Sequence, residues 1–115
     1  MRKILCVFAL CLMALPCFAA TVYVDEFQYN PTVTYQAAIT PEVTHQTVAI
    51  TGSSVQSNAF NSATRLIRVH ADAICSIQIG STNPTATTTS ARFVAGQTEY
   101  FLVNPGDKLA VITNT

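Results

Sequence analysis

Between Thr64 and Thr113 the chain is built of short runs in which apolar and polar residues alternate. They are Arg65-Leu66-Ile67-Arg68-Val69-His70, Ala73-Ile74-Cys75-Ser76-Ile77-Gln78-Ile79, Thr98-Glu99-Tyr100-Phe101-Leu102-Val103 and Lys108-Leu109-Ala110-Val111-Ile112-Thr113. A period of two puts successive side chains on opposite faces of a strand, so each run has one face to bury and one to wet. Cys75, Ile77 and Ile79 share one such face against Ser76 and Gln78. Ile67, Val69 and Ala71 oppose Arg68 and His70 in the same way. Each run is closed by a turn signal, and the order predicts a β-meander without helix. Asn104-Pro105-Gly106-Asp107 predicts a type II turn, with Pro presetting φ at the second position and Gly supplying positive φ at the third.

Upstream, Thr21-Val22-Tyr23-Val24-Asp25-Glu26-Phe27 is rich in β-branched and aromatic residues and reads as a first strand. The stretch 28–46 loses the pattern and contains Asn30-Pro31 and Thr40-Pro41, which suits an extended arm. The alternative for this stretch is an extended segment with a short edge strand from Val33 to Ile39. Thr47 to Thr51 predicts the next strand, Gly52-Ser53-Ser54 a turn, and Val55 to Phe60 a weak strand. From Gly80 to Ala91 the threonine-rich connection reads as a long exposed loop. Seven or eight short strands in this length predict an all-β fold, an antiparallel β-sandwich of jelly-roll-like form, as a single domain over 20–115.

The first nineteen residues are of another kind. Arg2 and Lys3 precede an apolar run of twelve, Ile4 to Leu15, and Pro16-Cys17-Phe18-Ala19 ends in small residues. This is the pattern of a secretory leader, an apolar helix cut after Ala19. The run falls short of the roughly 20 residues that a stable membrane span needs. Cys6, Cys11 and Cys17 lie in this leader, so residues 20–115 retain Cys75 alone and have no internal disulfide. Stability must then come from the core or from assembly, because domains of this size bury only about 60 to 70% of their unfolded surface. A homo-oligomer is the expected answer.

Without the leader, Arg65, Arg68, Arg92 and Lys108 stand against Asp25, Glu26, Glu42, Asp72, Glu99 and Asp107, a net charge of −2. Nucleic-acid binders carry a clustered basic excess, and this balance excludes that class of partner.

Little in the chain offers chemistry. His70, Asp72 and Cys75 fall within six residues, the residue types of an activated thiolate. Strand alternation places Cys75 on an apolar face and His70 on a wet one, which argues against a joint site. The same trio with His45 lacks the paired close spacing of a structural zinc site. Asp25 and Glu26 are neighbours in a strand, point to opposite faces and are expected to be solvated. Asn30-Pro31-Thr32 and Asn83-Pro84-Thr85 carry proline where a glycosylation acceptor excludes it. The four glycines are scattered and make no phosphate-binding loop. No catalytic, cofactor-binding or metal-ligating residue is assigned, no cofactor is expected, and the chain reads as non-enzymatic.

The succession Thr64 to Ile77, Gly80-Ser81-Thr82-Asn83-Pro84-Thr85-Ala86-Thr87, Thr98-Glu99-Tyr100-Phe101 and Asn104 to Ile112 resembles small proteins encoded among the structural genes of tailed bacteriophages and prophages. The likeness covers residues 47–115 best and Thr21 to Phe27 less firmly. It implies a virion structural protein of head-decoration or accessory type, a small β-sandwich that packs on itself and on a capsid or tail protein. Members of that kind begin directly at the first strand, and the export-like leader departs from them. The alternative is a secreted or periplasmic β-sandwich binding module, released by cleavage after Ala19. Such modules stack exposed aromatics on sugars, and Tyr23, Tyr29, Tyr35 and Tyr100 are the tyrosines present.

Overall fold

The computed structural model describes residues 19–28 and 41–115. Eight strands follow in order: β1 (Thr21–Phe27), β2 (Thr44–Ala49), β3 (Val55–Gln56), β4 (Leu66–Ala71), β5 (Cys75–Gly80), β6 (Ala91–Phe93), β7 (Thr98–Leu102) and β8 (Lys108–Thr113). They form two antiparallel sheets of four, β2-β1-β4-β7 (sheet A) and β3-β8-β5-β6 (sheet B). No helix occurs among the described residues, and the fold is a β-sandwich. The expected leader helix and the edge strand at 33–39 lie outside the described residues.

One core lies between the sheets. Sheet A contributes Val22, Val24, Val48, Ile67 and Val69, and sheet B contributes Cys75, Ile77, Phe93, Leu109 and Val111. Each set follows the period of two, and the register aligns them: Val24 is flanked by Gln46 and Val69, and Ile77 by Ala91 and Val111. Fully burying one such aliphatic side chain is worth about 1.5–3 kcal/mol.

The strands of the 64–113 region exist as expected, but they do not form a meander. β4 and β7 pair in sheet A, whereas β5 and β8 pair in sheet B. The bend at Asp72-Ala73-Ile74 carries the chain from one sheet to the other. Alternation says which face of a strand is buried and not which strand lies beside it, and both sheets bury the same kind of face.

Two further readings need correcting. The arm drawn over 28–46 ends too late, since Thr44 to Gln46 belong to β2 and pair with Glu26, Asp25 and Val24; residues 29–40 of it lie outside the described residues. The weak strand from Val55 to Phe60 contracts to Val55–Gln56, because the chain then peels away to hand Ser57 and Phe60 backbone bonds to Leu109 and Asp107.

The threonine-rich loop is largely exposed as expected, at Ser81 to Asn83, Thr85 and Thr87 to Thr89, but it is pinned across the outer face of sheet B at two buried residues. Pro84 and Ala86 are buried. Gln56 Nε2 donates to the Pro84 carbonyl at 2.9 Å, the Ala86 N–H donates to Ser54 Oγ at 2.9 Å, and Asn114 Nδ2 donates to the Thr88 carbonyl at 3.0 Å. Beneath it, Ser76 and Ala110 are fully buried although they face away from the core. The turn at 104–107 forms as read: the Asp107 N–H donates to the Asn104 carbonyl at 3.1 Å, with Gly106 at φ +83°.

Candidate binding face

The residues singled out for chemistry are not brought together. Cys75 points into the core, where burial, followed by the nearby Asp72 charge, pushes its thiol up to about 11. At neutral pH it is an un-ionised thiol, a small hydrophobe with no access to a substrate. His70 lies on the opposite sheet and faces outwards, with Nδ1 2.7 Å from Thr98 Oγ1. Asp72 accepts the Thr21 N–H at 2.6 Å and so ties the start of β1 to the bend after β4. His45 sits near the edge of sheet A, 3.2 Å from Glu42. No group of three or more potential metal ligands occurs among the described residues.

Asp25 and Glu26 do point to opposite faces, but neither is simply solvated. Glu26 follows Val22 and Val24 on the inner face and is 1% exposed. Its carboxylate is surrounded by donors: Gln46 Nε2 at 2.8 Å, the Asn61 N–H at 2.8 Å and the Thr64 hydroxyl. A buried carboxylate persists only when its acceptors are met in this way. Gln46 Oε1 in turn accepts the Asn58 N–H at 2.8 Å, so the network clamps the 58–64 loop to β1 and β2. A polar cleft of about 230 Å³ lined by Glu26, Thr44, His45, Gln46, Asn58 and Asn61 opens above it. Glu26, Gln46, Asn58 and Asn61 are engaged with one another there, which makes it a structural joint. Among the described residues no buried side-chain nitrogen or oxygen lacks a partner.

Polar and aromatic groups do converge on the outer face of sheet A. The register sets them in rows across the strands. One row reads Thr47, Tyr23, His70, Thr98, and the next reads His45, Asp25, Arg68, Tyr100. At the end of the sheet Leu102 stands beside Leu66. Tyr23 is 43% exposed, and Tyr100 and Leu102 are each 57% exposed. Between the two tyrosines Arg68 Nη1 donates to Asp25 Oδ2 at 2.7 Å, and this bond raises the guanidinium pKa further. Tyr23 and His70 lean together, with ring centroids 6.3 Å apart. Tyr23, Asp25, Arg68 and His70 sit on β1 and β4, which are paired on both sides, whereas Tyr100 and Leu102 sit on the edge strand β7.

Alternation alone placed Arg68 and His70 on a wet face. The same rule applied to Tyr23, Asp25 and Tyr100 gives their outward direction, but only the pairing of β1, β4 and β7 makes them neighbours.

A second opening, of about 250 Å³, lies on the open side of the sandwich and is lined by Ile77, Gln78, Ile79, Ala91 and Phe101. It exists because β6 is three residues long and leaves the end of β5 without cover, while β7 is the edge of sheet A. The backbone bonds from Val103 to Arg65 and from Ala71 to Gln97 fix the phase of the β4–β7 ladder. Odd-numbered residues of β7 therefore bond to β4, and the N–H groups of Thr98, Tyr100 and Leu102 point off the edge.

No family model matches the chain, and neither a curated protein nor a solved structure is significantly similar to it.

Proposed function

We propose that the chain is a non-enzymatic structural protein of a phage or prophage virion, of head-decoration or accessory type, that works by packing on itself and on a capsid or tail protein. The observation that carries this reading is the open side of the sandwich. An edge strand with outward N–H groups borders an apolar opening, which is the arrangement that accepts a further strand or an apolar side chain from a neighbour. The reading rests further on the resemblance stated from the sequence, and its non-enzymatic part is supported by the scatter of His70, Asp72 and Cys75 over two sheets.

The strand order further supports a jelly roll. Connections from β2 to β5 and from β6 to β8 pass from sheet to sheet, and only β1–β2 and β5–β6 are hairpin neighbours. In this reading β1 fills the central slot that the closing strand of a jelly roll takes. The place of assembly is then the β7 edge and its opening.

Two measurements test this. In particles purified from the native source, peptides of this chain are expected at a fixed ratio to the major capsid or tail protein. In solution the purified chain is expected to self-associate by analytical ultracentrifugation. Ala91→Arg, which places a charge at an exposed position lining the opening, is expected to return it to monomer without lowering its melting temperature. A terminus at Ala20 in a soluble exported fraction, with nothing in particles, overturns the virion reading. That result favours the second reading, a secreted or periplasmic binding module, for which the paired exposure of Tyr23 and Tyr100 speaks.

A further inference from the structure

The geometry points to the outer face of sheet A as a saccharide-binding platform, with Tyr23 and Tyr100 stacking on two rings of an extended, uncharged β-1,4-linked chain. The site is the tyrosine face noted for the second reading, but it does not depend on export, since such a face serves equally on the surface of a particle.

Spacing is the first argument. Tyr23 and Tyr100 lie two strands apart and one row apart on the same face. At ordinary strand spacing and rise this puts their Cα atoms about 12 Å apart on the diagonal. Tyrosines so placed meet alternate rings of an extended oligosaccharide, whose C–H faces repeat every second sugar. A tyrosine ring offers an apolar face with a polar tip, which suits a ligand that is itself apolar on its ring faces and polar at its rim.

Polarity is the second. The diagonal between the rings crosses Arg68, Asp25 and His70, which are donors and acceptors held in place by the strands beneath them. A guanidinium has five N–H donors, and the Asp25 contact engages Nη1. Because Asp25 neutralises Arg68, a phosphate or carboxylate polymer finds no net positive field here. The charge balance of the face matches a neutral polyol.

Size is the third. Four strands at the usual spacing, six residues long, span about 400 Å². That footprint is large enough for a few sugar rings. Tyr23, Asp25, Arg68 and His70 stand on central strands paired on both sides and Tyr100 on a strand laddered to β4, which lowers the cost of ordering the site.

The test is isothermal titration calorimetry of the full chain with cellohexaose and chitohexaose, and with maltohexaose as a curved chain of similar size. Binding of at least one extended hexasaccharide is expected, with maltohexaose weaker. Tyr23→Ala and Tyr100→Ala are each expected to weaken binding roughly tenfold, and the double variant to abolish it. Their melting temperatures should match that of the parent, since both rings are exposed. Absence of binding to both extended probes overturns the proposal, and so does binding that neither tyrosine variant changes. If the tyrosine variants instead lose self-association in the ultracentrifuge and no sugar binds, the face belongs to a second copy of the chain. The assembly reading fails separately, through Ala91→Arg and the particle analysis.

Discussion

The two sheets share one core but end differently at their outer faces. Over sheet B the chain lays its own 81–90 loop, and residues there that point away from the core, Ser76 and Ala110, are buried. Over sheet A the corresponding positions carry Tyr23 and Tyr100, 43% and 57% exposed. Sheet B is therefore a three-layered region, loop on sheet on core, whose outer residues act in stability. Sheet A is fastened from within, by the Glu26 clamp and the aliphatic core; on its outer face Phe27 and Leu66 are buried, while Tyr23, Tyr100 and Leu102 stay exposed. Two tyrosines and a leucine exposed on one surface are the apolar part of the face proposed above for a ligand.

The contrast can be broken from the sheet B side first. Ala110→Glu places a carboxylate under the loop with neither room nor a partner, and a loss of about 3 kcal/mol or more is expected in urea unfolding. The equivalent insult on sheet A, Leu102→Glu, should be tolerated.

Second in size is the internal clamp. Glu26→Gln turns an amide NH₂ towards a site filled with donors from Gln46, Asn61 and Thr64, and a cost of about 1–3 kcal/mol is expected. Proton exchange at the Asn61 N–H should speed up along with it. Asn114→Ala removes the bonds to Ser76 and to the Thr88 carbonyl that hold the loop down. About 1 kcal/mol is expected there, with greater proteolysis confined to 81–90. Smallest of all, Leu102→Ser should shift stability by no more than about 0.5 kcal/mol. A larger change would show that sheet A is covered as sheet B is.

Much of this was legible in the chain and part was not, for reasons that differ by residue. β1 and β8 appear where alternation and β-branched content put them, and the turn at 104–107 follows from Pro105 and Gly106. Glu26 was also within reach, since it continues the inward phase of Val22 and Val24. Its charge suggested water, and the donors that satisfy it come from β2 and from loop residues up to 38 positions away. The burial of Pro84 and Ala86 had no local signal, because a threonine-rich loop has the same composition whether it lies on a sheet or in solvent. β6 was missed because three residues carry too little periodicity to read. The binding face suffered from the same limit as the meander. Each strand declared its outward residues, while their assembly into rows required knowing that β1 lies between β2 and β4.

That central position of β1 has a consequence for the order in which the chain becomes structured. Val24 pairs with Val69, 45 residues further along, and sheet A has no middle until both are present. As synthesis proceeds from the amino end, β1 emerges first and waits with one long side unpaired until β4 leaves the ribosome. Such distant pairings make folding slow and leave a sticky strand exposed meanwhile. A nascent chain of this design keeps an unpaired strand edge open until its last third has been made, whichever compartment it is bound for.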